Sequence, residues 1–310
     1  MYKIFNTVGD ETTVIDTLTE KGAWILVVNP TKSELAKISN ETGVLYEFLE
    51  APLDDEERPR IEVEDNQVLF IINIPIVVRN GAVNYDTLPL GIIVTESQIV
   101  TVCLEENEVL NDLVRGRIKS FWTYKKTRLT LQILYKTASY FLKYLKEIDR
   151  KTNEIEKTLH VSTENEELIK LLNLGKSLVY FTTALRLNEV VMKKLLRTKV
   201  LKMYEEDEEL LEDVITENGQ AMDMSDVYSK NLNGLMDAFA SIISNNQNKV
   251  MKFLTSITLI LAVPTMISSF YGMNVSLPLQ HSSYGFIAVV LFSLISSMAA
   301  VYTLIKMNMF

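Results

Sequence analysis

Two apolar runs near the C-terminus constrain this chain more than any other feature in it. Phe253 to Phe270 contains no charged residue, and Tyr284 to Ile305 contains none either. A helix needs about 20 residues to cross the hydrocarbon core of a bilayer, so each run is long enough to form one span. Between them the chain reads Tyr271-Gly272-Met273-Asn274. A short turn between paired spans is a natural place for a pore mouth, because its backbone can face an ion pathway.

The average composition, 47% hydrophobic and 23% charged, hides two unlike regions. Lys306 is the only Asp, Glu, Lys or Arg after Lys252, so all 40 acidic residues and all but one of the 31 basic ones precede the spans. An acidic soluble region argues against nucleic acid as a partner and suits cations, although plain solubility accounts for it equally well. The single cysteine, Cys103, excludes an intrachain disulfide and a four-cysteine zinc site. Within Ile99-Val100-Thr101-Val102-Cys103-Leu104 it reads as a small buried hydrophobe in a strand. The start, Met1-Tyr2-Lys3-Ile4-Phe5-Asn6, lacks the apolar core of a secretory signal. Lys249 and Lys252 precede the first span and Lys306 follows the second, with no basic residue between the spans. The positive-inside bias then predicts a multi-pass protein with both termini cytoplasmic and the Gly-Met-Asn loop outside.

The expected fold class is an α+β membrane protein. Ala23 to Val28, Gln67 to Val78 and Leu90 to Leu104 are rich in Val and Ile and read as strands, with Asn80-Gly81 as a turn signal. Thr31-Lys32-Ser33-Glu34 has capping-box spacing, so a short helix should follow through Ile38 and end near Gly43. No proline occurs between Pro89 and Pro264, which argues for long helices. Leu129 to Leu159 and Leu168 to Leu196 should form an antiparallel hairpin, broken at His160-Val161-Ser162-Thr163. A third helix should begin at Glu205 and continue into the first span, with Gly219 and Gly234 as weak points. The predicted divisions are an α/β domain over 1–125, a helical hairpin over 126–200 and a stalk over 201–252. A first transmembrane helix follows over 253–271, a loop over 272–283 and a second transmembrane helix over 284–306.

Spacing by three and four along the first span selects Asn248, Met251, Thr255, Thr258, Ala262, Thr265 and Ser269. This stripe of small and hydroxyl-bearing residues has two readings: tight helix packing, or a wet face lining a pore. Two spans cannot enclose a channel, so a pore requires a ring of copies. Pro264 frees a carbonyl near Ile260, and that group should face protein or water rather than lipid. Neither span contains Asp or Glu, which excludes a carboxylate proton relay.

Tyr271-Gly272-Met273-Asn274 between two C-terminal spans, together with the domain order, resembles the CorA family of divalent-cation channels over essentially the whole chain. The resemblance implies a homopentamer in which the first span lines the pore. It implies Mg²⁺ as both cargo and regulatory ligand, with Co²⁺ and Ni²⁺ as other cargoes, and a site in the inner or plasma membrane. It assigns Gly272, Met273 and Asn274 to ion selection, and Met251 and Leu254 to a hydrophobic constriction. It also places a regulatory metal ligand at Asp213 and a stalk hinge at Gly234. The acidic partner expected for Asp213 is missing from Val78-Arg79-Asn80-Gly81, and a solvated helix face remains the alternative for Glu205 to Asp213. Ala262 stands where many members have methionine, which suggests a wider middle pore. Val275-Ser276-Leu277-Pro278-Leu279-Gln280-His281-Ser282 keeps the family's loop proline but lacks its acid.

Rival readings are a Zn²⁺ or Co²⁺ transporter on the same scaffold and a membrane-anchored sensor or enzyme. Two histidines, one cysteine and no nucleophile–base motif leave no catalytic set. No phosphate-binding G-x-x-x-x-G-K-[ST] sequence or other sign of an organic cofactor is present.

Overall fold

The computed structural model describes residues 1–9, 11–78, 85–116, 121–159, 165–278, 282–307 and 309. The chain divides into two compact units, Met1–Leu235 and Met236–Phe310.

The first unit is built on a seven-stranded sheet. Its strands are β1 (Tyr2–Val8), β2 (Glu11–Ile15), β3 (Trp24–Val28), β4 (Arg60–Glu64), β5 (Gln67–Val77), β6 (Tyr85–Val94) and β7 (Ile99–Cys103), in the order β2-β1-β3-β7-β6-β5-β4. Every neighbouring pair is antiparallel except β3 with β7. Three strands that the apolar pattern did not predict, β1, β2 and β4, lie toward the two edges. The run expected as one strand over Leu90 to Leu104 is instead two strands joined by a turn. Thr95 closes that turn: its hydroxyl donates to the Gln98 carbonyl at 3.0 Å and accepts from the Gln98 amide at 3.1 Å. The Asn80-Gly81 turn lies outside the described residues, but the strands flanking it pair in antiparallel register, Val77 opposite Tyr85. Cys103 ends β7 fully buried, the place expected for a small hydrophobe.

One face of the sheet buries Ile25, Val27, Leu69, Ile71 and Val100 against two short helices, α1 (Lys32–Thr42) and α2 (Tyr46–Glu50). Both halves of the expected capping box are present at Thr31 and Glu34, and Gly43 ends α1 at φ 73°. That left-handed conformation is one glycine adopts without steric cost. The hydrogen bond from the Thr31 backbone amide to the Glu34 carboxylate holds this carboxyl below its ordinary range.

A short helix, α3 (Glu108–Val114), leads to two long ones, α4 (Lys126–Leu159) and α5 (Asn165–Thr198). The break predicted at His160–Thr163 lies outside the described residues. Both long helices contact β5 and β6. Phe141 and Phe181 meet edge to face at 5.0 Å between ring centroids, and Phe181 also meets Tyr85 of β6. Two buried polar residues of α5 tie it to strand backbone. Asn188 Nδ2 donates to the Asn73 carbonyl at 2.7 Å while its Oδ1 accepts from the Asn73 amide at 2.8 Å. Ser177 does the same for Tyr85, donating at 2.7 Å and accepting at 3.3 Å. The β4 pairing with β5 stops at Ile71, and the β7 pairing with β6 stops at Leu90. Asn73 and Tyr85 thus lie past the ends of those neighbours, and buried backbone groups need partners wherever the ladder runs out.

Helix α6 runs unbroken from Glu205 to Tyr271, and α7 spans Gly285–Lys306. The stalk and first span are therefore one continuous helix. Gly219 and Gly234 do not interrupt it, and a β-carbon at either would meet nothing within 4 Å.

Candidate ion pathway

Two helices are long and apolar enough to cross a membrane, α6 and α7, by length and composition. Between Phe253 and Phe270, the more covered residues of α6 are Ser256, Ile260, Val263, Pro264 and Ile267. Their spacing puts them on one side of the helix. A groove of about 480 Å³ is lined there by Pro264 and Ser268 of α6 and by Phe286, Val290 and Ser293 of α7. The frame of Pro264 thus faces protein. Ser256 is fully buried, and its hydroxyl donates to the Met309 carbonyl at 3.3 Å, beyond the end of α7.

Asn248, Met251, Thr255, Thr258, Ala262, Thr265 and Ser269 are all exposed, as is Leu254. At about 100° per residue, this stripe lies roughly 160° around the helix from the side covered by α7. Packing against the chain's own second span therefore does not explain it. Two of its hydroxyls have a defined orientation: Thr258 donates to the Leu254 carbonyl at 2.8 Å, and Thr265 to the Leu261 carbonyl at 2.7 Å. With each proton committed to the backbone, these oxygens offer lone pairs to whatever the face meets. The same phase continues toward the N-terminal end of α6 through Ser244, Ser241 and Asp237, which are also exposed. Extending the three-and-four spacing by three positions beyond Asn248 reaches Asp237, the first carboxylate on this line.

At the other end, α6 stops where the Gly272 amide donates to the carbonyls of Ser268 and Ser269, and the Met273 amide to that of Phe270. Gly272, Met273 and Asn274 are all exposed. Gly272 is not in a left-handed conformation, and a β-carbon on it would come no nearer than 3.4 Å to the Ser268 carbonyl. His281 lies outside the described residues.

Asp213 is exposed on α6. Residues 79–81, where its counterpart was sought, lie outside the described residues. Among the described residues no three His, Cys, Asp or Glu side chains converge into a group able to hold a metal ion within one chain. Gly234 is exposed and immediately precedes the division between the two units at Leu235 and Met236.

A mixed-sheet domain, long helices and two apolar C-terminal helices define a class of membrane protein whose soluble domain precedes a paired span. The family model described as "CorA-like Mg2+ transporter protein" matches residues 19–306, and this chain belongs to that family. A cobalt/magnesium transport protein CorA of Methanocaldococcus jannaschii is 30% identical over 90% of this chain and 88% of its own length. A magnesium transport protein CorA of Helicobacter pylori is 24% identical over 90% of this chain and 87% of its own. The complete structure of the CorA magnesium transporter from Methanocaldococcus jannaschii superposes with a TM-score of 0.86 at 27% identity. That match covers 98% of this chain and 96% of the other.

Proposed function

We propose that this chain is the subunit of a homopentameric channel that carries Mg²⁺ into the cell down the membrane potential and is closed by cytoplasmic Mg²⁺. The observation that carries the reading is the exposed polar stripe of α6, turned away from α7 and leading to the Gly-Met-Asn turn. A ring of five such helices encloses a pathway that one chain cannot. The α/β domain, hairpin and stalk lie in the cytoplasm with both termini, and the turn faces outward at the inner or plasma membrane.

Mg²⁺ releases its octahedral water shell reluctantly and usually keeps several waters when bound. A ring of Asn274 amide oxygens, with the backbone carbonyls of Gly272 and Met273, accepts hydrogen bonds from those waters without stripping them. Neutral acceptors hold the ion loosely enough to release it. Thr265 and Thr258 continue the acceptor path, and Met251 and Leu254 form the apolar constriction that gates by dewetting. A divalent ion moving inward across about 100 mV gains about 4.6 kcal/mol, twice the ~2.3 per unit charge. The gradient alone can therefore drive uptake.

Purified protein in liposomes loaded with a Mg²⁺ dye should admit Mg²⁺ at a rate that rises when the interior is made negative. Flux that ignores the potential would reject the channel reading. Co²⁺ is a second cargo, supported by the name of the Methanocaldococcus jannaschii relative. It should compete with Mg²⁺ in the same assay. For the regulatory site, Asp213→Ala should leave flux running at internal Mg²⁺ levels that silence the parent protein, and unchanged inhibition would remove Asp213 from the account.

A further inference from the structure

Two exposed helix faces in the first unit are complementary, although within the chain Lys193 also pairs with Glu189, Glu206 with Arg128, and Arg186, on the α5 line, with Asp226. On α5, Ile169, Leu172, Val179 and Val190 follow three-and-four spacing and are 57%, 46%, 60% and 62% exposed. Exposed Lys176, Lys193 and Arg197 share this side of the helix. Lys176, Thr183 and Arg186 lie between these apolar residues on the same line, so the face is mixed apolar and basic. On α6, Glu206, Glu209, Asp213 and Asp223 are exposed at the same kind of spacing, and the line ends on Val227, 51% exposed. The sequence has no basic residue between Lys202 and Lys230 to offset these acids.

The two faces also match in height. Where α5 meets α6 within the chain, Ser225 bonds to Thr182 at 2.7 Å and Asn218 to the Leu185 carbonyl at 3.0 Å. Counting outward from these antiparallel contacts puts Val179 level with Val227. It also brings Lys193 level with the stretch around Asp213, and Arg197 with Glu206 and Glu209. A rotation axis running along the helices preserves these levels from one copy to the next. Apolar then meets apolar at one end and base meets acid at the other. Such charge pairing fixes orientation and register as much as affinity.

We propose that the apolar and basic face of α5 in one copy packs on the acidic face of α6 in the next copy, a contact that repeats around the ring. Because the two faces differ, the contact is heterologous, and heterologous contacts that close generate rings. The proposal rests on the oligomeric reading above and adds the surface that holds the soluble parts together.

The native thiol makes the test clean. Cys103 is buried, and its burial pushes the thiol up to about 12. Full-length chains carrying Val179→Cys with one tag are co-expressed with chains carrying Val227→Cys with another, and the membranes are treated with a short bismaleimide. The expected product is a covalent dimer bearing both tags, with no dimer from either variant expressed alone. A ring that is intact by native mass measurement yet yields no mixed dimer overturns this interface and leaves the ring standing. Dimers of Val179→Cys with itself overturn it too, since they require like faces to meet. A native chain that runs as a single copy overturns the ring reading, and the interface falls with it.

Discussion

Asn274→Ala should reduce Mg²⁺ flux in proteoliposomes by about tenfold or more while leaving assembly intact. In the proposed pentamer, the variant removes the side-chain oxygen from every copy at the mouth. A hydrogen bond involving a charged group is worth about 1.5–3 kcal/mol, and a change of about 1.4 kcal/mol is already a factor of ten. No carboxylate lies between Phe253 and Ile305 to compensate. Folding should be spared, because Asn274 is exposed. The measurement is radiotracer or dye flux of the two proteins at matched protein density. Equal Mg²⁺ flux would mean that the turn does not select the ion.

The largest effect on stability is expected at the opposite end of the chain, from Gly91→Ala. Gly91 sits in the middle of β6, opposite Ile71 on one side and Val102 on the other. Pro52, in a 3-10 turn over Ala51–Leu53, packs directly on it. A β-carbon on Gly91 would fall far inside the contact distance of Pro52 Cγ and lie 3.0 Å from its Cβ. The proline ring is stiff and the sheet is paired on both sides, so neither can yield without moving backbone. Overpacking of this kind costs about 1–3 kcal/mol, and more where relaxation is blocked. At roughly 2–4 °C per kcal/mol for a domain of this size, thermal unfolding of the detergent-solubilised chain should drop by about 4–10 °C. An unchanged midpoint would mean that the 3-10 turn lifts off the sheet freely.

The elements legible in the sequence were those whose signal is one-dimensional. The spans show because charge vanishes over Phe253 to Phe270 and Tyr284 to Ile305, and the long helices because proline is absent from Pro89 to Pro264. The Thr31 cap shows because its partners are three residues apart. Strands β1, β2 and β4 escaped because Glu11–Ile15 and Arg60–Glu64 carry polar side chains on their exposed side and resemble loops. The turn at Thr95–Gln98 escaped because apolar residues continue on both sides of it. The anchors Ser177 and Asn188 fall on the same helix face as Leu174, Leu178, Phe181 and Leu185, all buried. A polar residue inside an apolar stripe was the available clue, but its partner, strand backbone about a hundred residues away, has no signature in the chain. The polar stripe from Asn248 to Ser269 was legible as a pattern. Which side of α6 it occupies relative to α7 required three dimensions.

Gly272 carries a consequence for mixed populations of chains. Its ordinary backbone conformation, and the ordinary van der Waals contacts a β-carbon would make with the Ser268 and Ser269 carbonyls, mean that a single copy with alanine there should fold as well as the parent. In the proposed ring, any harm arises only where several copies crowd their turns together. A defect that is invisible to the subunit and felt by the ring behaves as a dominant one. In a cell making both versions, sound subunits would be recruited into rings spoiled by a neighbour, so a minority of altered chains would silence a majority of the channels.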